Sequence, residues 1–186
     1  SAEYNTAIGF TALDAITTGD KNTAMGYGAL GANTTGLHNT GIGRESLRDN
    51  TTASGNTAVG QSALSSNTTA NDNTAVGNAA LTSNVTGARN TAVGEAALAA
   101  NTGSENTAVG WQSGVNVSSG SSNVMVGYQA GKTCTTGHSN VLVGNYTMYN
   151  GTEGFHNTCV GINAGPFTVD PTIAAPICAT PPAKND

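Results

Sequence analysis

The hydrophobic and polar positions of this chain repeat every 17 residues, a period that fits neither a single helix nor a single strand. Each unit opens on Asn, counted here as position 1. An apolar residue at position 4 and a Gly at position 5 follow in every unit, and position 8 is small. Position 9 is Leu in the first six units and then becomes Gly114, Gly131, Met148 and Gly165. The opening residues of the ten units are Asn5, Asn22, Asn39, Asn56, Asn73, Asn90, Asn106, Asn123, Asn140 and Asn157.

The consensus unit N-T-A-V-G-x-x-A-L-x-x-N-T-T-G-x-x predicts one short coil of a β-solenoid. A helical hairpin repeat needs roughly 30 or more residues, and Gly, Thr and Asn are poor helix formers. Thr-Ala-Val is a short strand ended by the Gly, and Asn-Thr-Thr forms a second strand or an extended corner. We therefore predict an all-β fold, a parallel β-solenoid of ten 17-residue coils. The columns at positions 4 and 9 are expected to form a thin internal core.

The position 1 Asn column predicts a structural ladder. Equivalent side chains of adjacent coils lie about 4.8 Å apart, so each Asn amide can bond the Asn of the next coil. The unit from Asn90 to Glu105 is one residue shorter, and the missing residue falls between Asn101 and Gly103. A deletion in a turn leaves the columns intact.

Two domains are expected. Residues 1–165 form the repeat domain, and residues 166–186 form a Pro-rich tail that folds back as a cap or docks on a neighbouring subunit. The few large apolar residues in each coil predict burial against further copies, as a trimer about the fibre axis or as a head-to-tail filament. A monomeric solenoid with a tight Ala/Gly core is the alternative.

Composition narrows the functions further. Charged residues make up 9% of the chain, and the six Lys and Arg do not form the basic stripe that nucleic-acid binding needs. No apolar run is long enough to span a membrane, and no signal peptide is recognisable at the start. The three cysteines, Cys134, Cys159 and Cys178, allow one bridge from Cys178 to Cys134 or Cys159, or three free thiols.

Runs such as NTAMGYGA from Asn22, NTAVGQSA from Asn56 and NTAVGEAAL from Asn90 carry a family resemblance. They resemble the NTAxGxxAL…NTTG arrays of phage-type tail-fibre proteins and are similar to the shorter S-V-A-I-G repeats of YadA-like trimeric autotransporter adhesin heads. The resemblance covers residues 5 to about 165. It implies a trimeric, left-handed parallel β-roll in an extracellular, cell-surface or virion-associated fibre. The coil is longer than the YadA-like coil, by 17 residues against about 14.

No constellation in the sequence indicates catalysis, so we predict no enzyme, no cofactor and no metal site. The histidines at His38, His138 and His156 fall in the variable turn, and the acidic residues are scattered singly. Trp111 and Tyr128 share position 6 in consecutive coils and should stack. They form either a structural aromatic ladder or a platform for a cell-surface glycan.

Two further columns bear on function. N-x-Thr sequons recur at position 12, where they are glycan acceptors in a eukaryotic secreted protein or simply part of the repeat. They begin at Asn33, Asn50, Asn67 and Asn84. Thr recurs at position 2 (Thr6, Thr23, Thr40, Thr57, Thr74, Thr91, Thr107) and at position 13 (Thr17, Thr34, Thr51, Thr68).

The function we expect is a non-enzymatic structural or adhesive fibre segment that forms a stiff shaft and self-assembles. An ice-binding solenoid that uses its Thr columns is the alternative, because a flat Thr face can order water. Val124 and Val141 interrupt the first column, and paired Thr-x-Thr rows would be expected of an ice-binding plane.

Overall fold

The computed structural model describes residues 1–148 and 154–165, together with the backbone of a short strand at 177–179. Within these ranges the chain is all-β and contains no helix, so none long and apolar enough to cross a membrane. Every strand has three residues. The strands are β1 Thr6–Ile8, β2 Thr23–Met25, β3 Thr40–Ile42, β4 Thr57–Val59, β5 Thr74–Val76, β6 Thr91–Val93, β7 Thr107–Val109, β8 Val124–Val126, β9 Val141–Val143, β10 Thr158–Val160 and β11 Ile177–Ala179.

One sheet contains all eleven strands in chain order. Strands β1 to β10 pair in parallel and in register, so that Thr57 lies beside Thr74 and Val59 beside Val76. Each strand begins one coil, and consecutive coils stack along the sheet. This arrangement confirms the predicted parallel β-solenoid.

The shortened unit is absorbed where the sequence predicts. Thr91 still pairs with Thr107, so the sheet keeps its register across the deletion. The Asn101 amide reaches the Gly103 carbonyl at 2.9 Å, over two residues where other coils use three. An exposed ion pair between Arg89 and Glu105, at 2.7 Å, lies at the adjoining turn. Its hydrogen bond and charge lower the pKa of Glu105.

The prediction that position 4 forms the core is wrong. Successive strand residues point to opposite faces, and here it is position 3 that points inward. Ala58 and Ala75 are fully buried, whereas Val76 and Val93 are each 37% exposed. Position 9 was assigned correctly, since Leu30, Leu47, Leu64, Leu81 and Leu98 are all fully buried. The interior of coils 2 to 6 therefore pairs a small strand residue with a Leu from the following turn.

The turns have a backbone conformation that most residues avoid. Position 9 is left-handed, with φ of 51° at both Leu30 and Leu64. Position 5 needs Gly for a different reason. At Gly60, where φ is 133°, an added Cβ would lie 2.5 Å from the Gly77 carbonyl oxygen of the next coil. Close approach of stacked backbones thus explains why this Gly never varies.

The position 1 Asn ladder is confirmed along its whole length. From Asn22 to Asn157, the backbone N–H of each Asn donates to Oδ1 of the preceding Asn at 2.8–3.1 Å. Asn22 also donates through Nδ2 to the Gly36 carbonyl of its own coil at 2.8 Å. Among the described residues, one buried side-chain nitrogen, Asn73 Nδ2, has no partner.

A second Asn ladder runs at position 12 through coils 2 to 5. Asn50 donates to Asn33 Oδ1 at 3.0 Å, and Asn67 donates to Asn50 Oδ1 at 2.9 Å. Asn33 also bonds the Gly36 carbonyl at 3.1 Å, the same oxygen that Asn22 uses. The Asn-Thr-Thr segment is an extended corner rather than a strand, held by bonds between coils such as Thr34 N–H to Thr51 O at 2.9 Å.

A short strand of the tail pairs with the last strand of the rod. Strand β11 pairs antiparallel with β10, and the register sets Cys159 opposite Cys178. Cys159 is disulfide-bonded, and Cys134 is a buried free thiol. Apart from the β11 backbone, the tail and the side chain of Cys178 lie outside the described residues, so the bridge to Cys178 stays a prediction.

Candidate functional site

The most regular surface of the molecule is the outer face of strands β1 to β10. We call it the Thr/Val face and define it as positions 2 and 4 of all ten coils. Position 2 is Thr except at Val124 and Val141. Position 4 is Ile8, Met25, Ile42, Val59, Val76, Val93, Val109, Val126, Val143 and Val160. No position of the face is charged, so the sheet presents two parallel columns of mostly β-branched side chains.

The two columns are partly exposed along the rod. Position 2 is half-buried at Thr57 and Thr74, and position 4 is 37% exposed at Val76. The hydroxyl groups of Thr23 to Thr107 at position 2 make no hydrogen bond within the described part of the chain. Those of the other Thr column are used internally, as Thr34 Oγ1 donates to the Thr51 carbonyl at 3.1 Å. Of these two columns, the position 2 column is therefore the one whose hydroxyls are available to solvent or a partner.

Coils 8 and 9 make part of the face fully aliphatic. Val124 and Val141 replace Thr at position 2 and are each 38% exposed. Beside them stand Val126 and Val143 at position 4. The structure therefore brings four valines together in two adjacent strands, which are paired in register.

Trp111 and Tyr128 stack as predicted, with ring centroids 4.9 Å apart and planes 14° from parallel. Tyr146 continues the row with an edge contact to Tyr128 at 5.2 Å. Phe10 and Tyr27 form a similar pair at 5.8 Å in the first two coils. Because stacked rings cover one face of each other, they offer a sugar less flat surface than isolated rings would. This geometry favours the structural aromatic ladder over a glycan platform.

The sequon asparagines are in the interior of the coil. Asn33, Asn50, Asn67 and Asn84 are fully buried, and their amide nitrogens are bonded within the solenoid. A glycan on any of them would displace these bonds and could not be accommodated in the folded rod. The sequons are therefore explained by the repeat.

The titratable groups of the described ranges form no cluster that could hold a metal ion. His138 and His156 are exposed and meet edge to face, with centroids 5.3 Å apart. No group of three or more His, Cys, Asp or Glu side chains converges among residues 1–148 and 154–165. Burial raises the pKa of the Cys134 thiol, although backbone N–H groups of Gly137 and Gly154 partly oppose this.

A shallow groove of about 340 Å³ crosses the first three coils. Tyr27, Gly28, Gly31, Arg48 and Asp49 are among the residues that line it. Arg48 donates to both carboxylate oxygens of Asp49, at 2.8 and 2.7 Å. This pairing lowers the pKa of Asp49 and raises that of Arg48, so each ion neutralises the other. Glu45, which pairs with Arg48 at 3.9 Å, and Asp14 complete the charged lining of the groove.

The Thr/Val face is the feature that sequence reasoning missed. The position 4 column was assigned to the core because its residues are the largest in the strand. The available signal was the constant small residue at position 3 of coils 1 to 7. A small residue between two larger ones indicates a strand whose inward side faces a narrow interior.

The chain matches no protein-family model, and no relative emerged among curated proteins or solved structures. The β-solenoid fold is compatible with structural rods and with ice-binding proteins. The choice between these functions depends on what the outer surface contacts.

Proposed function

We propose that this chain is a non-enzymatic, self-assembling structural segment that forms a stiff shaft in an extracellular, cell-surface or virion fibre. The observation that supports this role is the continuous Asn ladder from Asn5 to Asn157. Each rung positions the next through a backbone N–H and a side-chain oxygen at 2.8–3.1 Å. A fibre in this location meets shear and proteases, and a ladder of this kind resists both.

Stiffness follows from repetition. Bending the rod would open the sheet bonds, the corner bonds and the Asn bonds of a coil at the same time. Each such bond contributes on the order of 1 kcal/mol. Proteases need an extended segment free of neighbours, whereas each inner coil here is bonded to the coils on both sides. The trimeric state and left-handed winding expected from the family resemblance remain part of this proposal.

Electron microscopy of the purified chain tests the proposal. One copy should be a rod of roughly 48 Å, from ten coils about 4.8 Å apart. Self-assembly should appear as rods joined end to end or bundled side by side, with the trimer giving bundles of three. Isolated single rods at every concentration would contradict the self-assembling role.

Ice binding is the second candidate, and the Thr/Val face favours it. Positions 2 and 4 both point outward, giving paired Thr-x-Val rows in place of the paired Thr-x-Thr rows expected. Seven of these Thr residues stand in consecutive coils, Thr6 to Thr107. Measurement of thermal hysteresis distinguishes the candidates, because a shaft without affinity for ice should leave the freezing point at its colligative value.

A further inference from the structure

We propose that the Thr/Val face is the contact between two copies of this chain, packed sheet against sheet. This inference rests on the proposed self-assembling role and assigns it a surface. Because a contact between the same face of two copies has two-fold symmetry, it joins rods in pairs, in place of the trimer expected from the resemblance. The partner is a second copy of the chain.

The chemistry of the face suits an apolar partner. Charged side chains of the solenoid lie at the turn positions, among them Arg44 at position 6 and Arg89 at position 17, which flank the face. An uncharged strip with one apolar column, bordered by charged residues, resembles a protein interface, whose centre is depleted of charge and whose rim is polar. Like charges would face each other across a contact between identical copies, and none stands on this strip.

The residues at position 2 of coils 8 and 9 favour a protein over ordered water as the partner of the face. Here the hydroxyls of position 2 are lost and Val124 and Val141 take their place, each 38% exposed. A surface that orders water should retain its Thr in consecutive coils. A surface that packs against another protein should gain from replacing Thr with Val, because this removes a hydroxyl that would have to be desolvated.

The dimensions of the face fit a modest interface. Ten strands spaced about 4.8 Å apart and three residues of about 3.3 Å each give roughly 480 Å² per copy. Two copies would bury about 1,000 Å² in total, near the lower limit for a specific contact. A second copy also repeats with the same spacing, so every rung can meet an equivalent rung along the whole strip.

Sedimentation of the full chain across a range of concentrations tests the proposal. The double variant Val124→Lys/Val141→Lys places two charges in consecutive coils of the face. We expect it to weaken self-association at least about tenfold, because each charge would be buried without a partner. The matched control Ser119→Lys/Thr136→Lys adds the same charges at exposed position 14 of consecutive coils and should associate like the wild type.

A second variant guards against misfolding. Val124→Thr/Val141→Thr installs the residue that other coils already use, so it should fold, and it should associate more weakly than the wild type. Circular dichroism verifies that each variant keeps the wild-type β-structure.

The outcomes separate this inference from the proposed function. If the wild type associates and the Lys pair still associates like the control, the Thr/Val face is not the contact, while the self-assembling role stands. If the wild type is monomeric throughout, both fail. A monomeric wild type with thermal hysteresis that the Lys pair abolishes would identify ice as the partner of the face and overturn the proposal.

Discussion

Two regions of the rod, coils 2 to 6 and coils 8 and 9, fill the interior with large residues from different positions of the coil. In coils 2 to 6 the large buried residue is the position 9 Leu, as at Leu64, and position 3 is small, as at Ala58. In coils 8 and 9 the large buried residues are Met125 and Leu142 at position 3. Position 9 is Gly131 in coil 8, whereas in coil 9 it is the buried Met148. The large apolar residue of a layer thus comes from position 9, from position 3 or, in coil 9, from both.

Coil 7 is the junction between the two arrangements. It is small at both positions, with Ala108 and Gly114, and Val117 enters the core at position 12. Met125 of the next coil fills the space beside Gly114, where an added Cβ would lie 2.7 Å from the Met125 Cε. Tight packing therefore constrains neighbouring layers together, and a column can change only if adjacent coils compensate.

The largest expected effect is the loss of unfolding free energy when a large core residue of either region is replaced by Ala. Leu64→Ala should lower the free energy of unfolding by about 3 kcal/mol, because Ala58 and Ala63 are too small to fill the cavity. Leu142→Ala should cost a similar amount if the two arrangements are equivalent. Denaturant unfolding followed by circular dichroism measures both. A cost below about 1 kcal/mol for Leu142→Ala would show that the second arrangement is loosely packed.

A smaller loss of unfolding free energy is expected when the consensus Leu is placed at position 9 of coil 8, where position 3 already supplies the large core residue. Gly131→Leu should destabilise the chain by about 2 kcal/mol, although Leu occupies this position in six other coils. An added Cβ would lie 2.7 Å from Met125 Sδ and 3.0 Å from Leu142 Cδ1. Adding Met125→Ala should recover part of the loss, and a double variant no more stable than Gly131→Leu alone would contradict the exchange of volume. Thermal and denaturant unfolding of the single and double variants provide the comparison.

Exchanging the position 12 residues of the two halves sharpens the comparison further. Asn67→Val should cost about 1.5 kcal/mol, because it removes bonds to Asn50 and Ala70 and leaves buried polar atoms unpaired. The reverse change, Val117→Asn, should cost less because the Gly120 carbonyl accepts at this level of the rod. Denaturant unfolding of both variants measures the two costs in unfolding free energy. Equal costs would mean that the second ladder contributes nothing specific to coils 2 to 5.

The smallest expected effect is a pH dependence confined to the second half. Burial raises the pKa of the Cys134 thiol in the folded chain, so the unfolded chain loses this proton first as pH rises. The stabilising contribution is complete below the ordinary thiol pKa and declines as pH rises from there through the raised folded value. Cys134→Val, which copies the residue of coil 7, should abolish this alkaline decline. Unfolding free energies of both proteins from neutral to alkaline pH test it, and parallel curves would contradict the assignment.

Much of the fold could be predicted because residues that recur at a fixed interval must occupy equivalent places in successive coils. Equivalent positions that never vary, such as the Asn of position 1 and the Gly of position 5, must face equivalent neighbours in every coil. Which side of the strand faces the interior could not be predicted as reliably. In a three-residue strand, alternation leaves either face as the candidate core. Val59 was therefore placed in the core, whereas in the structure Ala58 is buried and Val59 is half-buried on the outer face.

The sequence by itself determined the coil length, the parallel stack and the Asn ladder, because these depend on residues that recur at a fixed interval. Only the tertiary structure decided which side of the strand is buried and how Met125 and Leu142 replace the Leu column. Those outcomes depend on how side chains of neighbouring coils together fill one interior. A repeat pattern gives the residue type at each position but not which side chains pack against each other. The Thr/Val face became visible for the same reason, once the interior was filled without it.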